Sequence, residues 1–128
     1  MPAYYEALGG RLAEGVMGPS HWEFGVTYDE AGAKEAGQTW IGPSQAEFVA
    51  LFKSALDQDI IPDYHAAEAG AQVLAYVLAV ERAGSIAQDD VRKALGELTF
   101  MSFYGGWDVD DTGMQIGHSM VDMQWQDG

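Results

Sequence analysis

The sequence predicts an α/β chain, in which helices occupy the middle and strands lie toward the two ends. A capped amphipathic pattern over residues 44–56 and a nearly apolar stretch over 62–84 both indicate helices. Alternating apolar and polar residues over 118–126 indicate a strand, and the short apolar run 13–18 suits another. The 128 residues are enough for one domain with one core.

Composition excludes several kinds of partner and site. The chain has 20 Asp plus Glu against 6 Lys plus Arg, a formal net charge of −14, which suits neither nucleic acid nor anionic lipid. Without cysteine there is no disulfide, thiolate nucleophile or zinc–thiolate site. Residues 1–20 show no signal-peptide pattern. The stretch 62–84, with about 15 apolar residues, falls short of the roughly 20 that cross a bilayer, so no direct membrane insertion is predicted.

The first third of the chain ends in a long predicted loop. Residues 4–8 suit the end of a helix, 13–18 a buried strand, and 19–43 a loop that carries several aromatic residues. Loops of this length are usually functional or packed against another element. Trp22 is therefore a candidate ligand-binding residue, because a flat ring suits the apolar part of a ligand. Aromatic side chains that pin the loop to the core are the commoner alternative.

Two helices follow the loop. Ser44 and Glu47 form the S-x-x-E pattern of a capping box, and helical spacing predicts a buried face made of Phe48, Leu51, Phe52, Ala55 and Leu56. The next helix, 62–84, opens at a proline and closes at a glycine. It is apolar nearly all round, so we expect it to be buried, with small residues in its first turns that allow close packing.

The last third changes from helix to strands. A short helix is predicted over 88–95, a strand over 100–104 that Gly105 and Gly106 interrupt, a turn over 110–113, and the strand 118–126. The final dipeptide Asp127-Gly128 is a hairpin-turn signal. It predicts one more strand, and hence a longer protein.

Candidate metal and catalytic residues are sparse. His21, His65 and His118 are far apart, which indicates structural histidines rather than a metal site. Asp108-x-Asp110-x-x-Gly113 resembles part of a calcium loop, but the twelfth position lacks the required glutamate, so a strand-connecting turn is expected. No G-x-S-x-G elbow or other placed nucleophile occurs. We expect no cofactor and no enzymatic activity, with a small α/β enzyme as an alternative.

Three segments together resemble the C-terminal part of the solute-binding proteins of branched-chain amino-acid-type ABC transporters. They are, in order, YYEALGGRLAEGVMG at 4–18, FVALFKSALDQDIIPDYHAAEAGAQVLAYVLAVERAGS at 48–85, and LTFMSFYGGWDVDDTGMQIGHSMVDMQWQDG at 98–128. The resemblance implies a fragment of a type I periplasmic-binding fold, which has two α/β lobes joined by hinge crossings. It assigns 1–58 to the end of the second lobe, 59–65 to a hinge crossing, and 66–128 to the C-terminal part of the first lobe, before its last strand.

The resemblance also implies where a ligand would lie. In the family the ligand is held by closure of the two lobes, and the groups that hold an amino acid's carboxylate and ammonium would precede Met1. A family tyrosine near the start of the core helix often contacts ligand; its equivalent falls between Glu68 and Gly70, where there is none. Glu68 and His65, beside Tyr64 at the implied hinge, join Trp22 as candidate ligand-binding residues. A packing role for His65 is the alternative.

The implied function is that of an extracytoplasmic receptor for an amino acid or related small organic ligand, without catalysis. Its partners would be that ligand and a membrane permease, and its place periplasmic or extracellular, with any membrane anchor in a missing N-terminal segment. A ligand-sensing domain of a signalling receptor with the same fold is the alternative. Because the core helix is so apolar, we also expect this chain to expose apolar surface or to cover it with a second copy.

Overall fold

The computed structural model describes residues 6–9 and 12–126. The chain divides into two compact units. One unit combines Met1–His21 with Met120–Gly128, and the other is Trp22–Ser119. The predicted helix end at 4–8 is described only from residue 6, where one helical turn ends at Gly9. The predicted turn at Asp127-Gly128 lies outside the described residues.

The smaller unit contains an antiparallel pair of strands, β1 (Met17–Ser20) and β4 (Val121–Gln124). Met17 pairs with Gln124, and two further backbone bonds join residues 15 and 16 to Trp125 at 2.9 and 3.1 Å. The predicted strand 13–18 is therefore misplaced. Residues 12–15 form a turn, because Gly15 takes a left-handed conformation with φ of 77°. The strand then runs through Pro19, which a two-stranded edge tolerates.

The larger unit begins with the segment that we predicted to be a loop, and this prediction is wrong in part. A short helix, α1 (Glu30–Glu35), lies within it, and Asp29 caps the helix by accepting a hydrogen bond from the Gly32 N–H at 2.8 Å. Residues 39–41 then run parallel to β2 (Phe100–Ser102). Backbone bonds of 2.9 Å link Met101 to both Thr39 and Ile41.

The next helix, α2 (Gln45–Leu56), has the predicted capping box but a different buried face. Its buried residues are Gln45 and Val49, whereas Leu51 and Leu56 are 63% and 47% exposed. The face differs because Gln45 is satisfied by the preceding loop: its side-chain amide donates to the Val26 carbonyl at 2.8 Å. Pattern reasoning favoured the leucines over a glutamine, which is buried only where such partners exist.

The core helix, α3 (Tyr64–Ala83), ends at Gly84 in a left-handed conformation, as its sequence predicted. It begins after the N-cap Asp63, two residues later than the predicted opening at Pro62. The prediction that this helix is buried on every side is wrong. The buried residues form a stripe of alanines at four-residue spacing, namely Ala67, Ala71, Ala75 and Ala79. Val73, Tyr76 and Val77 are 64%, 54% and 46% exposed, which confirms the expected exposed apolar surface. None of the described helices combines the length and apolar character needed to cross a membrane.

Helix α4 (Gln88–Gly96) packs on α3, and a β-hairpin completes the unit. The hairpin pairs β2 with β3 (Gly105–Trp107), so Gly105 and Gly106 form a strand and do not end the sheet as predicted. Glycine is needed because an added Cβ at Gly106 would lie 2.5 Å from the Gly117 carbonyl oxygen. The backbone that follows Ile116 therefore approaches the hairpin directly.

Candidate functional site

Trp22 lies in the core of the larger unit. Its side chain is 1% exposed and packs in one apolar cluster with Val49, Ala67, Ala71 and Phe103. Its indole N–H donates to the Phe103 carbonyl at 3.0 Å. Burial and this hydrogen bond account for a packing role, and direct contact of Trp22 with a ligand stays a prediction.

A stack of two phenylalanines joins α2 to the hairpin and lies against Gly70 of α3. The rings of Phe48 and Phe103 are 4.1 Å apart and 14° from parallel. They fit because Gly70 has no side chain: a Cβ there would lie 2.9 Å from Phe48 Cε2 and 3.4 Å from Phe103 Cζ. The small residues of α3 thus permit the close approach that the sequence predicted, and they fix the position of Glu68 two residues earlier.

Beside this stack lies a group of half-buried side chains, Tyr28, Tyr64, Glu68, Tyr104 and His118, which we name the tyrosine–glutamate cluster. The imidazole of His118 stacks on the Tyr104 ring, with centroids 4.5 Å apart. A Cβ at Gly105 would lie 2.8 Å from His118 Nδ1 and 3.2 Å from Tyr28 Cζ. The hairpin therefore brings together residues from the loop, α3 and the C-terminal segment.

The electrostatics of the cluster centre on Tyr104. Burial, followed by the charges of Glu68, Tyr28 and Tyr64, raises the pKa of Tyr104 to about 12. Burial also raises the pKa of Tyr28. The cluster thus disfavours additional negative charge. A perturbed titratable group among convergent polar side chains is a mark of functional sites, although structural clusters share it.

Two of the predicted site residues, His65 and Glu68, lie on the first turns of α3. The His65 ring stacks on Tyr64 at 3.9 Å, and its Nδ1 is 3.6 Å from Asp63 Oδ2. Glu68 accepts a hydrogen bond from the Gln72 side-chain amide at 3.2 Å. Tyr64, the first residue of α3, packs against the core cluster that contains Trp22 and acts electrostatically on Tyr104.

The sequence does not predict Tyr28, Tyr104 or His118 as site residues. Tyr28 is one of several aromatic residues of the predicted loop, Tyr104 belongs to a predicted strand, and His118 is expected to be a structural histidine. Their distances from Glu68 along the chain are long, so no spacing motif connects them. The glycine pair at 105–106 was the available signal, because glycines in a strand mark close approach of other groups.

In the turn after β3, the side chain of Asp110 stabilises the backbone of the turn. Asp110 Oδ1 accepts hydrogen bonds from Thr112 N at 2.8 Å, Thr112 Oγ1 at 2.6 Å and Met114 N at 3.0 Å. These bonds hold the pKa of Asp110 below its usual value. The carboxylate thereby fixes a turn, as predicted. Among the described residues no group of His, Asp and Glu has the arrangement of a metal site.

An open pocket of about 860 Å³ lies elsewhere in the larger unit, between α3, α4 and the turn after β3. It shares no residue with the tyrosine–glutamate cluster. Arg92 and Lys93 line it together with Asp89, Glu97 and Asp111. Because charges of both signs surround it, its electrostatics do not select one class of ligand.

Comparison with known proteins gives the chain's family. Residues 2–128 match the family model described as periplasmic binding protein. In structure the chain is similar to a leucine binding protein, LivK, from Thermotoga maritima, with a TM-score of 0.70 and 20% sequence identity over 98% of this chain. It is also similar to a periplasmic binding protein from Burkholderia mallei, with a TM-score of 0.68 and 21% identity over 95% of this chain.

The match extends over only part of those proteins. The chain covers 31% of the length of the Thermotoga protein and 28% of the Burkholderia protein. Its mixed helices and strands therefore correspond to a portion of a type I periplasmic binding protein, as the sequence predicted. On the family match over residues 2–128, the chain belongs to the periplasmic binding protein family.

Proposed function

We propose that this chain is part of the solute-binding component of an ABC transporter, which captures an amino acid or related small organic ligand outside the cytoplasm. The observation that carries the proposal is the family match over residues 2–128. The similar Thermotoga structure, a leucine binding protein, supports a small organic solute. The partners would be that solute and a membrane permease, and no catalytic step is needed.

The tyrosine–glutamate cluster supports this function from the geometry. Ligand sites combine apolar and aromatic surface with a few placed polar groups. Tyr28, Tyr64 and Tyr104 supply the rings, and Glu68 supplies a carboxylate near the start of α3. All four side chains are half-buried, so each keeps surface that a ligand can contact.

Residues 59–65, which include the first two residues of α3, are proposed as a hinge crossing, with the lobe assignments 1–58 and 66–128 on either side. His65 stacks on Tyr64 at its end, and both residues lie next to the N-cap Asp63. Ligand would stabilise a closed form because it contacts more groups there than in the open form. His65 would respond to that closure through its stacking contact with Tyr64.

The test is a thermal-shift screen of the protein at its full natural length against amino acids, amides and aromatic acids. We expect one solute class to raise the melting temperature, to bind with one site in calorimetry, and to reduce the radius of gyration in X-ray scattering. Tyr104→Phe should weaken binding several-fold, whereas Tyr76→Phe, on the exposed face of α3, should not. A screen in which no solute changes stability or compactness would contradict the proposal.

A further inference from the structure

Glu68 has no positive partner in the described part of the chain. One of its oxygens, Oε1, accepts a hydrogen bond from the neutral Gln72 amide, and the described ion pairs of lysine and arginine join other residues. Lys53 pairs with Asp59 at 2.6 Å and Arg82 with Glu97 at 3.2 Å. A half-buried carboxylate with only a neutral partner favours a cation from outside the chain.

The neighbours of Glu68 offer further acceptors and aromatic faces. Within residues 6–9 and 12–126, the hydroxyls of Tyr28 and Tyr104 form no hydrogen bond. A phenol oxygen accepts hydrogen bonds, and an ammonium or guanidinium group has three or more N–H donors to give. Tyrosine rings also attract a cation that lies over their faces.

The field around the cluster has the sign that suits a cation. The Glu68 carboxylate acts on Tyr104 in the direction that disfavours negative charge. The chain as a whole carries a formal net charge of −14, which raises the local concentration of positively charged solutes and lowers that of anions. An aromatic acid or another anionic solute would meet repulsion here.

We propose that the tyrosine–glutamate cluster binds a positively charged group at the end of the ligand's side chain, an ammonium or guanidinium, with Glu68 as the counter-ion. The solute class is then the basic amino acids. This inference rests on the proposed solute-binding function and specifies its ligand. Tyr28 and Tyr104 complete the site as hydrogen-bond acceptors and aromatic walls.

Calorimetry on the protein at its full natural length tests this with two matched ligand pairs. L-lysine and L-norleucine have side chains of the same carbon skeleton and differ in the terminal ammonium, and L-arginine and L-citrulline differ in the guanidinium charge. We expect the charged member of at least one pair to bind about tenfold more tightly, the effect of one charge-assisted hydrogen bond. This comparison needs no variant.

The substitution Glu68→Gln then tests whether the preference for the charged ligand comes from this carboxylate. The variant should reduce the preference for the charged member about tenfold and leave the affinity of the neutral member within about threefold. Glu81→Gln, an equal change of charge on the exposed side of α3, should leave both affinities unchanged. A melting temperature close to that of the parent protein shows that Glu68→Gln is folded.

The outcomes separate the inference from the function on which it rests. Equal affinity within both pairs, or equal effects of Glu68→Gln and Glu81→Gln, would overturn the assignment of a basic ligand. Tight binding of a neutral or acidic solute would overturn it too, while supporting solute binding. Failure of every solute class to bind would contradict both proposals.

Discussion

The indole N–H of Trp22 donates a hydrogen bond to the backbone carbonyl of Phe103 at 3.0 Å, across 81 residues of sequence. Both side chains are at most 2% exposed. This bond joins the segment that follows β1 to the turn between β2 and β3. It holds the hairpin in place in the core beside α3, and the hairpin carries Tyr104, on which Glu68 acts electrostatically.

Trp22→Phe should lower the free energy of unfolding by about 1–3 kcal/mol, because the buried Phe103 carbonyl would lose its donor. Urea unfolding followed by circular dichroism measures the change. The matched control is Trp40→Phe, since the Trp40 indole donates to the Gly42 carbonyl at 3.2 Å in an exposed setting. Equal losses of unfolding free energy in the two variants would show that the buried hydrogen bond stabilises the protein no more than the exposed one does.

Gly70→Ala should destabilise the protein through the aromatic stack. The new methyl group would lie 2.9 Å from Phe48 Cε2, and such overpacking costs about 1–3 kcal/mol. The better helix propensity of alanine, about 1 kcal/mol, offsets only part of this. Gly96→Ala is the control, because nothing lies within 4 Å of its added Cβ, and it should be neutral or stabilising in the same urea titration. A Gly70→Ala protein as stable as the Gly96 variant would contradict the packing described.

The capping box of α2 should be visible in a titration. The Ser44 backbone N–H donates to Glu47 Oε2 at 2.8 Å, and the Ser44 hydroxyl donates to the same oxygen at 2.8 Å. These bonds hold the pKa of Glu47 below its usual value. These hydrogen bonds therefore stabilise the folded state fully above pH 4.5, the pKa of Glu47 in the unfolded chain. Their contribution to the free energy of unfolding is lost as pH falls through the lower pKa of the folded state.

Carbon-13 NMR of the Glu47 carboxyl measures that pKa directly. Ser44→Ala should raise it, because the hydroxyl donor is removed, and should shorten the helix signal at its N-terminus. Glu81 provides a reference glutamate in the same spectra. A Glu47 titration that does not move in Ser44→Ala would exclude the side-chain part of the box.

Alkaline stability should depend on Tyr104. Its pKa, raised to about 12 from 10.0, means that the folded state holds this proton more tightly than the unfolded state. The stabilisation is present below pH 10 and declines between about pH 10 and 12, when the unfolded state ionises first. Ultraviolet titration of tyrosinate should show a tyrosine that titrates near pH 12 in the parent protein and lose that step in Tyr104→Phe, while Tyr28, whose pKa burial also raises, still titrates late in both.

Glu68→Gln should lower the pKa of Tyr104 only in part, because burial contributes more to the shift than the carboxylate does. A Tyr104 that titrates near pH 10 in the folded parent protein would refute the close grouping of these side chains. A Tyr104 pKa that does not change in Glu68→Gln would show that Glu68 does not belong to the cluster. Both readings come from the same absorbance curves.

Local signals predicted the three longer helices well but missed α1, and for α2 and α3 the reason is visible at the helix ends. Ser44, Glu47, Asp63 and Gly84 act on backbone groups within a few residues, so their effect can be read without knowing the fold. Strand limits were less accurate because a strand depends on its partner. Met17 pairs with Gln124, and nothing near either residue encodes that register.

Burial was the property that local patterns predicted least well. Gln45 is buried because three backbone groups of residues 23–26 bind its side chain, while the neighbouring Leu51 remains exposed. On α3 the alanine stripe faces the core and the larger Val73 faces outward. Which face packs inward depends on the elements that meet it, not on hydropathy alone.

By itself, the sequence determined the three longer helices α2, α3 and α4, the capping box of α2, the glycine end of α3, the acidic charge and the family to which the chain belongs, because each of these follows from nearby residues or from their order. Only the tertiary structure decided that Tyr28, Tyr104 and His118 come together with Glu68. That grouping depends on a hairpin whose glycines admit neighbouring groups and on contacts between residues far apart in the chain. No local rule of propensity or spacing encodes such a meeting.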